Sequence, residues 1–262
     1  MTLHVEIRGN GPDLVLLHGW ALHGGMWGPW LDRLAVHARL HVVDLPGHGR
    51  SGWPVATRDL GGLARAVHPH VPRDAVVLGW SLGGMLALEL GRRHARHLRA
   101  LILMATTPKF LAGPDWEHGL DPAVLDEFSS GLALDYRRTV QNFLALQTRG
   151  DEHALETLRL LRSKLASHGE PDRRALATGL DVLRSADLRD DLPHVTLPAL
   201  VIAGDHDRLT LPGAGRELAA RLPMARFCSI ERSGHAPFLS HPDEVLAEVL
   251  GFLARHTGGA TA

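Results

Sequence analysis

Apolar positions along the chain follow two rhythms. Short, nearly continuous apolar runs occupy residues 3–9, 13–19, 39–47, 74–80, 98–106, 197–205 and 225–231. Between them, apolar residues recur every three or four positions over 25–38, 57–71, 82–95, 213–222 and 242–255. The first rhythm predicts parallel strands covered on both faces, and the second predicts helices. Asn10-Gly11-Pro12, between the first two runs, predicts a hairpin-type start.

The alternation breaks after Thr107. Residues 109–187 show no strand pattern and predict helices over 122–135, 137–148, 151–168 and 171–185, with Pro122 and Pro171 near helix starts. The expected class is α/β, a mostly parallel doubly wound sheet with a helical lid insertion. Its core spans 1–108 and 188–256, its lid 109–187, and residues 257–262 form a disordered tail. An insertion of this kind covers a ligand site, and in open parallel sheets that site lies at the carboxyl ends of the strands.

One such end carries unusual chemistry. Gly79-Trp80-Ser81-Leu82-Gly83 fits G-x-S-x-G between a predicted strand and a predicted helix. A sharp turn there strains the Ser backbone and brings the residues two before and two after too close for side chains. Ser81 is lifted clear of the sheet as a nucleophile, and the N-terminus of the helix faces it.

A serine hydroxyl needs a base, and the base needs an orienting acid. Of the 18 histidines, His235 follows the last strand in a Gly-containing loop, which places it at the same sheet edge. His4 and His41 lie in predicted strands, and His94, His97 and His256 lie at helix ends. His68 and His70 stand two apart and do not share a helix face, so they make no metal pair. His18 shapes its own loop. The acid should follow a strand between Ser and His in chain order, where Asp205 and Asp207 stand. Asp207 is preferred, because Asp205 abuts the strand and is expected to fix the turn through its own backbone bonds. Asp44 is expected to brace a loop. The His18-Gly19 step makes the backbone N–H of Trp20 the expected oxyanion donor beside that of Leu82.

Composition narrows the setting. The formal net charge is −1, which favours neither nucleic acid nor an anionic membrane. The one cysteine, Cys228, excludes an intrachain disulfide and is expected to be a buried, inert thiol. No signal peptide or membrane-spanning run is seen, so the expected compartment is the cytoplasm and the expected state a monomer. No metal or other cofactor is expected.

The segments VLLHGW, VVDLPGHGRS, LGWSLGG, GDHD and GHAPF are spread along the chain in a way that resembles the α/β-hydrolases. GWSLGG, the lid segment FLALQT (143–148) and HAPFLSHP (235–242) are similar to the pimeloyl-acyl-carrier-protein methyl ester esterase family. That resemblance implies an α/β-hydrolase fold and hydrolysis of a pimeloyl methyl ester carried on acyl carrier protein, in biotin synthesis. It implies nucleophile Ser81, acid Asp207, base His235 and oxyanion donors Trp20 and Leu82. It places Phe143 along the acyl channel and Arg138 and Arg159 against the acidic carrier; two further basic positions of the family are Asn142 and Leu155 here. Charge bears on the carrier separately, because residues 137–164 hold six basic side chains against three acidic ones. Val140, Phe143, Leu144 and Gln147 share one helix side. With Trp20 and Trp80, Phe143 is expected to make an aromatic-lined pocket suited to a methylene chain. The alternatives are a broad-range short-chain carboxylesterase or enol-lactonase on the same machinery, and a non-catalytic hydrolase-fold ligand receptor.

Overall fold

The computed structural model describes residues 3–54, 57–165 and 167–258. Its strands are β1 (Val5–Arg8), β2 (Asp13–Leu17), β3 (Arg39–Val43), β4 (Ala75–Trp80), β5 (Leu98–Met104), β6 (Ala199–Gly204) and β7 (Ala225–Ile230). Its helices are α1 (Trp30–Ala35), α2 (Leu60–Val67), α3 (Leu82–His94), α4 (Pro122–Leu134), α5 (Tyr136–Gln147), α6 (Ala154–Lys164), α7 (Arg173–Ser185), α8 (Pro212–Arg221), α9 (Pro237–Ser240) and α10 (Pro242–Thr257). The strands form one sheet in the order β1-β3-β2-β4-β5-β6-β7, parallel except for β1.

The continuous apolar runs are explained by two buried faces. Along β4, Ala75 and Val77 pack with Leu63 of α2, Leu86 of α3 and Leu218 of α8. Val76, Leu78 and Trp80 pack on the other side with Leu34 of α1 and Val249 of α10. Successive side chains alternate between faces, so a strand that is apolar at every position fills both cores.

The expected hairpin does not form. β1 pairs antiparallel with β3, Val5 opposite Val43, and β2 lies on the far side of β3. The Gly-rich turn records a reversal of the chain but not its partner, which is chosen by non-local pairing. The helix expected over 25–38 is also interrupted. His23 caps a short 3-10 turn at Gly24–Trp27, Gly28 takes φ 58°, and α1 begins only after Pro29. Thr257 belongs to α10 rather than to the expected tail; of that tail, residues 259–262 lie outside the described residues.

The four helices α4–α7 fill the interval between β5 and β6. The ends of this interval are clasped together, with Lys109 3.0 Å from Asp115 and Arg189 2.6 Å from Asp115 and 2.7 Å from Asp187. No helix among the described residues is long and apolar enough to cross a membrane.

Candidate active site

β2 and β4 are neighbours, while the chain leaves them towards opposite edges of the sheet. Their carboxyl ends therefore flank the crevice where such sheets bind ligands. Ser81 sits there, between β4 and α3, with φ 58° and ψ −120°. Its N–H donates to the Met104 carbonyl at 3.0 Å, and its own carbonyl accepts from the Thr106 hydroxyl at 2.7 Å. These bonds hold a conformation that a non-glycine residue rarely takes. A Cβ on Gly79 would lie 2.1 Å from the Gly83 carbonyl oxygen, and one on Gly83 would lie 2.2 Å from that of Leu17. The glycines on either side of the serine are a packing requirement of the turn.

His235 and Asp207 meet beyond the ends of β7 and β6. The His235 Nδ1–H donates to Asp207 Oδ2 at 2.7 Å, and both residues are buried. The carboxylate only accepts, so Nδ1 carries the ring proton and Nε2 carries the lone pair. Nε2 is buried and has no hydrogen-bond partner among the described residues. Asp207 is itself fixed by the N–H groups of Leu209 (2.8 Å) and Thr210 (3.1 Å) and by the Thr210 hydroxyl (2.7 Å). Asp205 is held through its backbone. Its Oδ1 is buried and without a partner among the described residues, and its backbone N–H, not its carboxylate, ties it to Ile230.

Sequence reasoning missed the supports of the base. The Trp80 indole N–H donates to the His235 carbonyl at 2.7 Å. Trp80 thus faces the α1/α10 side with Trp27 and Phe238, away from Trp20 and Phe143, and does not share their cluster. The turn between α5 and α6 holds the loop from its other side. The Gln147 carbonyl accepts the His235 N–H at 3.0 Å, Asp151 Oδ2 accepts the Gly234 N–H at 2.7 Å, and the Glu152 N–H donates to the Arg232 carbonyl at 3.0 Å. The Gly150 carbonyl also accepts from His206 Nδ1 at 2.7 Å, beside Asp207. The one available signal was Thr210, three residues after Asp207, the spacing of a local side-chain-to-backbone turn.

Gly19 lies against the serine, and a Cβ there would stand 3.3 Å from that of Ser81. The Trp20 N–H follows directly and donates to no acceptor among the described residues. Leu82 heads α3, so its N–H has no acceptor within the helix. His18 shapes this loop. Its Nδ1–H donates to the Gly19 carbonyl at 2.8 Å, and its Nε2 accepts the Leu45 N–H at 2.9 Å. Burial first, then the neighbouring His48, hold its pKa down at about 3. Asp44 braces the adjoining turn by accepting the N–H groups of Gly24 and Arg50.

The Trp20 indole packs edge-on against Phe143 at 4.8 Å, and Phe143 against Phe128 at 5.6 Å. This column joins the loop after β2 to α5 and α4. Val140, Phe143, Leu144 and Gln147 are all buried. Arg138 and Arg159 are exposed on α5 and α6, apart from the serine, and neither makes an ion pair among the described residues. Arg138 lines a groove of about 880 Å³ with Phe128, Asn142 and Arg149. Arg137, by contrast, is bound to Glu170. Cys228 is half-buried, and burial pushes its thiol up to about 11.

A hydroxyl on a strained strand-to-helix turn, with a buried imidazole–carboxylate pair at the ends of later strands, defines the hydrolase class. The chain belongs to the alpha/beta hydrolase family, whose model matches residues 14–249. It is 46% identical over 252 residues to a pimeloyl-acyl-carrier-protein methyl ester esterase of Stenotrophomonas maltophilia, covering 96% of each chain. A protein of the same name from Xanthomonas campestris pv. campestris is 46% identical over 253 residues, covering 96% of this chain and 99% of that one. Among solved structures, the enol-lactonase from Burkholderia xenovorans LB400 matches with a TM-score of 0.82 and 26% identity over 96% of both chains. An esterase from Exiguobacterium antarcticum matches with a TM-score of 0.84 and 22% identity over 96% and 95% of the two chains, a likeness of fold alone.

Proposed function

We propose that this chain is a serine carboxylesterase that hydrolyses the methyl ester of a pimeloyl chain carried on acyl carrier protein, a step of biotin synthesis. One observation carries the chemistry: the Asp207–His235 bond of 2.7 Å leaves Nε2 as the free lone pair of a buried ring. The 46% identity to named esterases of that substrate supports the choice of ester.

His235 Nε2 takes the Ser81 proton as Oγ attacks the ester carbonyl. The N–H groups of Trp20 and Leu82 face the developing oxyanion. Collapse expels methoxide, which leaves as methanol with the proton from His235. Water then attacks the acyl-enzyme and gives a proton to the same ring, and the free acid departs as Ser81 recovers it. Asp207 keeps the imidazole in the productive tautomer. Phe143, Phe128 and Trp20 line the path of the methylene chain, and Arg138 and Arg159 meet the acidic carrier. The enzyme acts as a monomer in the cytoplasm.

The test compares hydrolysis of pimeloyl methyl ester on carrier protein with that of free p-nitrophenyl esters, using Ser81→Ala as control. A higher kcat/KM for the carrier-borne ester is expected. An advantage confined to free short esters overturns the assignment.

A further inference from the structure

We propose that His23, Asp44 and His168 form a site for a divalent cation of the zinc class, which clasps the connection between α6 and α7 to the core. They stand far apart in the chain, after β2, after β3 and between α6 and α7. In the structure one donor atom of each lies within 4.8 Å of the others. His23 and Asp44 are buried, and the His168 side chain is 12% exposed.

Each donor is prepared in a different way. Asp44 is fixed by the Gly24 N–H on Oδ1 at 2.7 Å and the Arg50 N–H on Oδ2 at 2.9 Å. A carboxylate oxygen has two lone pairs, so each still has one to offer. His23 Nε2 faces the Lys164 carbonyl at 3.0 Å, which only an N–H can satisfy. Its lone pair is therefore on Nδ1, which accepts the Gly25 N–H at 3.1 Å, a bond that metal coordination replaces. A backbone carbonyl on the distal nitrogen is the usual partner of a metal-bound imidazole.

His168 supplies an unpartnered donor atom. Its Nδ1 is buried, has no hydrogen-bond partner among the described residues, and stands 3.6 Å from Asp44 Oδ2. That is too long for a hydrogen bond. It is close to the separation of two ligands on one tetrahedral ion, about 3.4 Å when each bond is about 2.1 Å. The His23 and His168 rings lie 4.3 Å apart and 28° from parallel, and a Cβ on Gly25 would come within 2.9 Å of His168. A polar cavity of about 420 Å³ reaches His168 past Glu6 and Asp32, giving a hydrated cation a route in, although Arg8, Arg50 and Lys164 also line it. Two imidazoles and one carboxylate suit zinc, with water as a fourth ligand. The ion is structural; none of its ligands belongs to the Ser81, Asp207 and His235 set.

The test is calorimetric titration of the chelator-stripped full chain with zinc chloride, together with thermal denaturation with and without zinc. One equivalent bound and a higher Tm are expected. His168→Ala and His23→Gln, each checked for an intact fold by circular dichroism, should weaken binding by more than about a hundredfold, beyond what loss of an indirect partner of a ligand does, and should abolish the Tm shift. The other cluster of this kind among the described residues is Glu152, His153 and His241. Absence of saturable binding, unchanged affinity in both variants, or loss of binding on His153→Ala in their place overturns the proposal.

Discussion

The Trp80 indole N–H donates to the backbone carbonyl of His235 at 2.7 Å, so the residue before the serine holds the loop of the proposed base. Trp80→Phe keeps the bulk and removes the bond. Loss of a buried hydrogen bond of this kind costs about 1–3 kcal/mol. We expect a lower urea midpoint and a kcat reduced about tenfold with little change in KM. Steady-state kinetics checks this, and an unchanged kcat contradicts a positioning role.

Asp151 makes a second prediction. Asp151→Ala leaves the buried Gly234 N–H without its 2.7 Å acceptor and loosens the loop carrying His235. Turnover should fall several-fold or more through kcat. The other oxygen accepts the His153 N–H at 2.7 Å, so Asp151→Asn keeps one acceptor of the two and should recover only part of the loss. Equal losses in the two variants would count against a hydrogen-bonding role.

The two neighbouring aspartates separate cleanly. Asp207→Asn should reduce kcat by about 10⁴, because the imidazole loses its tautomer control. Asp205→Asn should leave kcat within about twofold, since no reacting group depends on that carboxylate in the mechanism. Parallel kinetics on one ester decides it.

If Arg138 and Arg159 meet the carrier, reversing their charge should matter only when the carrier is present. Arg138→Glu with Arg159→Glu should raise KM for the carrier-borne ester by about tenfold and leave free esters unaffected. Added salt should raise the wild-type KM in the same selective way.

Burial holds the imidazoles of His18 at about 3 and His48 at about 4, down from an ordinary 6.5. Both stay neutral in the folded chain, so below pH 6.5 the unfolded chain binds more protons. Stability from these rings is present above that value and is lost as the pH falls towards 4. The expected slope is about 1.4 kcal/mol per pH unit for each ring. Urea unfolding at pH 7, 6 and 5 measures it, and a flat profile contradicts it.

The elbow was legible because its constraint is local: Gly79 and Gly83 face backbone within five residues or on the next strand. The strands were legible because apolar side chains on both faces leave an unbroken signal. The β1 partner was not, since a turn does not encode which edge of β3 the chain reaches. Nor was the side of the sheet taken by Trp80, which depends on strand register rather than composition. The hold of Gln147 and Asp151 on the His235 loop joins backbone groups far apart in the chain, and backbone groups carry no residue-type signature.

The turn at 147–152 is fastened to the loops bearing both Asp207 and His235. Lifting α5 and α6 off the sheet would drag the proton-transfer apparatus with them. That corner therefore ties the positions of α5 and α6 to the loops of Asp207 and His235. α4 packs on α5 and α7 and contributes none of these bonds. A displacement of α4 would leave those bonds whole, whereas a displacement of α5 or α6 would break them, so the imidazole's alignment depends on one part of the insertion and not on the rest of it.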